Sequence, residues 1–184
     1  MLVQVQVIKR IRRKLAGFIN SVKENDGYYI ARYEASGKAE QSVKSKRGQE
    51  VWTEVKQPEA ETYCQAIYGT AVNSALMNSY AFDTAILFLQ KQSSQYAIRQ
   101  SANDAEDGLL LAGESGDVQC NIYDLASNCY EWTTEIFDPF NGADSCVVRG
   151  DAYNDTNNLC ASSRKNEGNT TNNTSISFRP ILYL

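Results

Sequence analysis

The sequence has no histidine among its 184 residues. Zinc sites built on histidine, and catalytic pairs of serine or cysteine with histidine, are therefore excluded. The five cysteines are odd in number and widely spaced, and no CxxC pair occurs. This pattern favours a reduced protein with mostly buried thiols over a disulfide framework or a thiolate metal site.

Long apolar runs are also missing. No segment approaches the roughly 18 apolar residues of a membrane span, and residues 1–17 lack the apolar core of a secretory signal. We therefore expect a protein made in the cytoplasm. The net charge of −4 and the pI near 5.0 disfavour general binding to nucleic acid or to anionic membranes. The basic run 9–14 is the local exception, and it reads either as a basic patch or, preferably, as the solvated face of a helix.

Length and hydropathy patterning predict a single α+β domain over residues 1–184. Alternating apolar residues predict a strand over 2–7, and helical spacing predicts a helix from 8 to 23. Two more helices are expected, one opened by Pro58 and one over about 80–91. β-like segments are predicted at 28–34, 120–124, 146–149 and 176–183, with connections or loops at 36–50, 69–79 and 92–119. We expect the β-like segments at the two ends of the chain, 2–7 and 176–183, to pair and the long loops between them to form one face.

The last 34 residues hold seven asparagines, whereas the preceding 150 hold eight. Their polar part, residues 151–175, is called the polar tract below; it lies between apolar segments at 146–150 and 176–184. It is therefore predicted to be an exposed surface on a scaffold. Short polar side chains and tyrosine are typical of adaptable binding loops. The candidate ligand contacts are Tyr153, Asn154, Asp155, Asn157, Asn158, Lys165, Asn166, Asn169, Asn172 and Asn173.

Two further segments contain residues that could bind a metal ion or react as a nucleophile. Asp124 and Glu131, with the carbonyl groups between them, have the oxygen ligands that Ca²⁺ prefers. The alternative, which composition favours, is a turn with Asn128 as a local cap, Glu131 bonded to the backbone and Trp132 in the core. Cys160 lies in the polar tract near basic residues and is the candidate reactive thiol. The alternative there is an ordinary half-buried thiol.

Four segments, in order, resemble formylglycine-generating-enzyme-like domains, which are also called sulfatase-modifying-factor domains. GYYIARYEAS at 27–36 resembles their GFYIGRYE, and YDLASNCYEWT at 123–133 resembles their YDLxGNVWEWT. VRGDAY at 148–153 resembles RGGSY, and ASSR at 161–164 followed by SFRP at 177–180 resembles AxxR…GFR. The resemblance implies a C-type-lectin-type fold with two or three helices around small antiparallel sheets and long loops.

Enzymes of this family oxidise a substrate cysteine with copper held by two cysteines, the first just after the RGGSY tyrosine. Here Asn154 and Asp155 follow Tyr153, so the first cysteine is missing, and Cys160 matches only the second. A copper oxidase or sulfatase-modifying enzyme is therefore the alternative interpretation. The resemblance also implies a structural Ca²⁺, for which the matching positions are Asp124, Ser127, Cys129 and Glu131.

The polar tract is similar to the variable region of proteins diversified by retroelements in phages and bacteria. Asn, Asp, Thr, Ser, Tyr, Ala and Gly all arise from an AAY asparagine codon when adenines change. This likeness implies a non-enzymatic, receptor-binding protein with residues 151–175 as its variable face and no required cofactor. It implies a protein or glycan ligand on a target cell, and a place on a phage virion or a cell surface. Arg164 and Arg179 are expected to anchor the loops. An oligomer, or a structural subunit with an inert tract, stays open.

Overall fold

The computed structural model describes residues 15–68, 72–137 and 145–183. The strand expected at 2–7 and the basic run 9–14 lie outside these residues. The described part contains three α-helices, α1 (15–24), α2 (Gln57–Gln65) and α3 (Ser79–Gln90). Two short 3-10 helices are Lys38–Glu40 and Tyr96–Ile98. All three predicted helices are thus present where the chain is described.

Local chemistry accounts for the helix starts. Pro58 occupies the first turn of α2, where a backbone donor is not needed, and the Glu59 carboxylate accepts a hydrogen bond from the Lys56 N–H at 3.2 Å. In α3, the Asn78 side chain caps the helix by accepting from the Ala81 N–H at 2.9 Å. Helical spacing predicts inward side chains at Ala60, Tyr63, Cys64 and Ile67 in the second helix and at Ala81, Ala85, Ile86 and Leu89 in the third. Those of α3 are buried, as are Ala60 and Cys64, whereas Tyr63 and Ile67 are half-buried and Ile67 lies beyond the end of α2.

A three-stranded antiparallel sheet joins the two ends of the described chain. Its central strand is β9 (Pro180–Tyr183), flanked by β1 (Tyr29–Ile30) and β2 (Asn73–Leu76). An early segment, β1, thus pairs with the last strand, while the terminal strand predicted at 2–7 lies outside the described residues. A separate hairpin consists of β3 (Val118–Gln119) and β4 (Ile122–Tyr123).

A four-stranded sheet forms the other half of the fold, in the order β7-β6-β5-β8. Its strands are β5 (Tyr130–Ile136), β6 (Ser145–Arg149), β7 (Arg164–Gly168) and β8 (Ile176–Phe178). β8 runs parallel to β5, and the other neighbours are antiparallel. Only Arg179 separates β8 from β9, so the chain passes from one sheet to the other at that residue.

Two apolar clusters fill the interior. One lies between α1, α3 and the three-stranded sheet, and it includes Phe82 and Leu89. The other lies between α2 and the four-stranded sheet around Trp132, which is fully buried. The Trp132 indole N–H donates to the Val55 carbonyl at 2.9 Å, so its polar atom is satisfied inside the core.

Four sequence-based expectations need correction. β2 lies inside the predicted connection 69–79, and β7 lies inside the polar tract. Both are edge strands that consist of polar or weakly β-forming residues. Pairing with the neighbouring strand stabilises their extended conformation. The segment read as a turn at 124–132 ends in β5, whose first four residues are buried. Of the β-like run 28–34, only Tyr29–Ile30 pairs as a strand.

Candidate ligand-binding face

The first half of the polar tract is fixed to the scaffold by hydrogen bonds. The Asp151 carboxylate accepts from the Ser101 N–H at 3.0 Å, and the Tyr153 N–H donates to the Asn128 carbonyl at 3.1 Å. Further along, Ala161 is fully buried in the cluster beside α3. The backbone of this loop therefore has fixed points at its beginning and at its end.

The second half is fixed in the same way. The carbonyl groups of Asn169 and Asn173 accept from the N–H groups of Gln57 and Glu54, each at 3.1 Å. The Asn173 side chain turns back and accepts from the Ser175 N–H at 2.9 Å. Ser175 is buried and leads directly into β8. The loop after β7 is thus held against the start of α2 and closed by an asparagine turn.

The candidate ligand contacts all keep access to solvent. Five of them are exposed, namely Asn154, Asn157, Asn158, Asn166 and Asn172, and the other five are partly exposed. Within the described residues, no hydrogen bond engages the side chains of Asn154, Asn158, Asn166 or Asn172. The donors and acceptors of these amides are therefore open to solvent.

Asp155 has a structural role that the sequence did not reveal. Its carboxylate accepts from the Tyr130 hydroxyl at 2.5 Å, from the Asn157 N–H at 2.8 Å and from the Leu159 N–H at 3.3 Å. Burial alone would raise the pKa of Asp155, but these hydrogen bonds outweigh it and hold that pKa below its ordinary value. Asp155 therefore shapes the loop that presents its neighbours.

The predicted contacts on β7 face different sides of the sheet, because alternate residues of a strand point to opposite faces. The Lys165 ammonium lies 4.5 Å from the centre of the Tyr130 ring and 3.1 Å from the Glu167 carboxylate. Arg164 shares the opposite face with Asn166. Lys165 and Asn166 are thus not brought together on one ligand surface.

Two arginines hold the polar tract to α3. The Arg149 guanidinium, 1% exposed, pairs with Asp83 at 2.6 Å and donates to the Ser163 carbonyl at 2.9 Å. Arg164 pairs with Asp83 at 3.2 Å and with Glu135 at 2.6 Å. The anchoring expected of Arg164 is therefore confirmed, whereas the buried Arg149 was not anticipated.

Arg179 is the buried cation at the centre of the fold. Its guanidinium donates twice to one oxygen of Glu131, at 2.9 and 2.6 Å, and to the carbonyls of Ala31 at 2.9 Å and Tyr123 at 2.8 Å. Both side chains of the ion pair are at most 1% exposed. Arg179 thus ties β5 to the segments around β1 and β4, as the sequence predicted of an anchoring residue.

A second carboxylate lies in the same buried region. One oxygen of Glu34 accepts from the Asn128 side chain at 2.8 Å, and the other has no hydrogen-bond partner in the described part of the chain. Burial, followed by the charges of Asp124 and Glu131, raises the pKa of Glu34 well above its ordinary value. A proton on Glu34 therefore reduces the excess of negative charge around Arg179.

The residues expected to hold calcium are already engaged with other groups. Both Asp124 oxygens accept hydrogen bonds, one from the Gly113 N–H and one from the Ser115 hydroxyl at 2.6 Å. One Glu131 oxygen is taken by Arg179, and the Ser127 carbonyl accepts from the Cys129 N–H at 2.9 Å. Among the described residues, no group of three or more acidic, cysteine or histidine side chains is arranged to hold a metal. The second Glu131 oxygen is buried without a hydrogen-bond partner in the described residues, and a calcium ion at these positions stays a prediction.

Cys160 is a partly exposed thiol beside two serines. Its sulfur lies 3.4 Å from the Ser163 hydroxyl and 3.6 Å from the Ser162 hydroxyl. Partial burial would raise the pKa of Cys160, but these hydrogen bonds outweigh it and lower that pKa. By contrast, burial raises the pKa of Cys64 beyond the usual range and that of Cys146 to about 11. Cys160 is thus a partly exposed thiol with a lowered pKa, and its reactivity stays a prediction.

The overall arrangement matches known structures, although the sequence does not. No protein-family model matches the chain, and no curated protein sequence does either. PvdO from Pseudomonas aeruginosa matches with a TM-score of 0.66 at 12% identity, over 85% of this chain and 80% of its own. CarF matches with a TM-score of 0.61 at 12% identity, over 85% and 86% of the two chains. Treponema denticola variable protein 1 matches with a TM-score of 0.54 at 11% identity, over 78% and 73%.

The chain has a C-type-lectin-like fold. The fold expected from the four sequence segments is thereby confirmed, including its small, mostly antiparallel sheets and its long loops. At 11 to 12% identity the likeness concerns the fold and not the activity. In the described part of the chain, no helix has the length and apolar character needed to span a bilayer.

Proposed function

We propose that this protein is a non-enzymatic binding protein whose polar tract forms the ligand-binding face. One observation carries the proposal. The backbone of the tract is fixed by buried anchors, while the side chains of Asn154, Asn158 and Asn172 are exposed and have no partner in the described residues. Free amides on a fixed backbone suit recognition, because little conformational entropy is lost when a ligand binds.

The tract also suits diversification by a retroelement, and the fold shared with Treponema denticola variable protein 1 supports this. On a fixed backbone, exposed positions can change without disturbing the core. We expect a protein or glycan ligand on a target cell, with the protein displayed on a phage virion or a cell surface. The net charge of −4 makes a protein or glycan a better candidate than nucleic acid.

Sequencing codons 151–175 across the source population tests the diversification. We expect substitutions at adenines of exposed positions such as Asn154 and Asn172, beside a near-identical template repeat and a reverse transcriptase gene. Codons of buried residues such as Ala161 should stay constant, because a larger side chain there would disrupt the core. An invariant tract with no template repeat would contradict the proposal.

Binding itself can be tested without knowing the ligand. The intact protein is applied to a glycan array and to a panel of intact bacterial cells. Replacing Asn154 and Asn172 together by Ala should abolish any signal and change the free energy of unfolding by less than about 0.5 kcal/mol, since both side chains are exposed. Exposed Gln41, which directly follows the 3-10 helix Lys38–Glu40, gives a matched control when changed to Ala. Binding that survives the double substitution would place the ligand elsewhere.

An enzyme is the second candidate, and the lowered pKa of Cys160 is the observation that favours it. An oxidase that holds copper with two thiolates would need another cysteine just after Tyr153, but Asn154 and Asp155 stand there. Copper titration of the purified protein distinguishes the two functions. Tight copper binding that is lost in Cys160→Ser would favour the enzyme, and its absence would leave the binding protein.

A further inference from the structure

β7 is an open edge of the four-stranded sheet. It pairs with β6 on one side, and its other side has no strand in the described part of the chain. Outside this ladder, one backbone hydrogen bond involves the described strand, from the Thr171 N–H to the Gly168 carbonyl at 2.9 Å. The remaining outward N–H and C=O groups are therefore available to another strand, as at any open sheet edge.

The sequence of β7, Arg164-Lys165-Asn166-Glu167-Gly168, complements itself when it is read in the antiparallel direction. If two copies pair about a two-fold axis at Asn166, Lys165 of one copy stands opposite Glu167 of the other. Lys165 and Glu167 of one chain already lie 3.1 Å apart on one face. The four charges then form a closed square in which every neighbour has the opposite sign, an arrangement that stabilises cross-strand pairs.

The alternative registers are unfavourable. Shifting the axis by one residue to Lys165 places the two ammonium groups opposite each other, and shifting it to Glu167 does the same to the two carboxylates. Like charges directly opposite each other destabilise a pair of strands. On the other face, Arg164 stands opposite Gly168 of the second copy, which has no side chain. Arg164 can therefore keep its ion pairs with Asp83 and Glu135.

We propose that two copies of this protein associate through β7, which joins their four-stranded sheets into one continuous sheet in the register centred on Asn166. The inference does not depend on the proposed function. It assigns Lys165 and Asn166 to contact between copies and leaves the loops on either side of β7 to a ligand. Because a five-residue edge buries little surface, the dimer is weak and depends on concentration and salt.

Sedimentation equilibrium over about 1 to 300 µM, a range suited to a small interface, tests the dimer on the intact protein. The wild type should dimerise reversibly, and high salt should weaken it. Lys165→Glu and Glu167→Lys should each weaken association at least about tenfold, because both symmetric contacts become repulsive. Mixed one to one, these two variants should form a heterodimer, since every charge then again faces its opposite. Lys46→Glu, in an exposed loop, makes the same charge change and should leave the dimer intact.

Thermal unfolding of each variant shows that the monomer is folded before association is compared. A wild type that stays monomeric at the highest concentration overturns the proposal. So does a dimer that tolerates both single substitutions, because it must then use another surface. Two folded single variants that do not associate when mixed also overturn it, since the charges would not be opposed as proposed.

Discussion

Replacing Arg179 by Met should remove much of the stability of the fold. The substitution keeps an unbranched side chain but leaves the Glu131 carboxylate, 1% exposed, without its cation. An uncompensated buried charge costs about 3 to 5 kcal/mol. The carbonyls of Ala31 and Tyr123 also lose their donors, at about 1 kcal/mol each. The expected total is about 5 to 7 kcal/mol, against a stability of about 5 to 15 kcal/mol for a typical domain.

Urea unfolding followed by tryptophan fluorescence measures this loss, and calorimetry should show a melting temperature lower by roughly 10 to 20 °C. Lys38→Met is the matched control, because its ion pair with Glu54 at 2.8 Å is about half exposed and should contribute less than about 1 kcal/mol. The double variant Arg179→Met with Glu131→Leu removes both charges, so its cost should fall at least about 2 kcal/mol below the sum of the two single variants. Additive costs, or a loss below about 2 kcal/mol for Arg179→Met, would refute this view of the ion pair.

Two further predictions follow from the buried ionisable groups. Burial and neighbouring carboxylates raise the pKa of Glu34 in the folded protein above its value in the unfolded chain. The contribution of Glu34 to stability is therefore complete below the pKa of the unfolded chain, and it is lost as the pH rises through the pKa of the folded protein. Glu34→Gln should therefore flatten the decline in stability above about pH 4.5; an unchanged slope in unfolding titrations would contradict this. Iodoacetamide should label Cys160 in the folded protein well before Cys64, and Ser163→Ala should slow that labelling near neutral pH. Mass spectrometry of the peptides follows the labelling of each thiol. Equal labelling rates for Cys160 and Cys64 would contradict the prediction.

The helices could be predicted from the sequence because each combines apolar periodicity with a local start signal. Pro58 in α2 and the cap Asn78 in α3 act within one turn of their helices, so their effect is visible in a short window. The strands were less predictable. β7 consists of Arg, Lys, Asn, Glu and Gly, and its extended form depends on β6, which is distant in sequence. Single-sequence patterns carry little of that tertiary information.

In the candidate site, too, local features could be predicted from the sequence and tertiary contacts could not. The exposure of the asparagines and the anchoring roles of Arg164 and Arg179 follow from composition and from the resemblance of motifs. Arg149 was missed, although it lies in the apolar run 146–150, where a charged residue requires a buried partner. A charged residue inside an apolar run was thus the sequence signal for a buried arginine. Its partner Asp83 could not be inferred, because the two residues meet only when α3 packs on the four-stranded sheet.

The two buried arginines explain why a changeable surface is compatible with this fold. Arg149 lies two residues before the polar tract and Arg179 four residues after it, and both are at most 1% exposed. Each binds carboxylates and backbone carbonyls, so the energy that fixes the two ends does not come from the asparagine side chains. Substitutions at the exposed positions should therefore have little effect on folding, as the proposed binding face requires. The same reasoning predicts that Asp155, whose carboxylate is bound to Tyr130 and to two backbone N–H groups, tolerates change less well than Asn154 beside it.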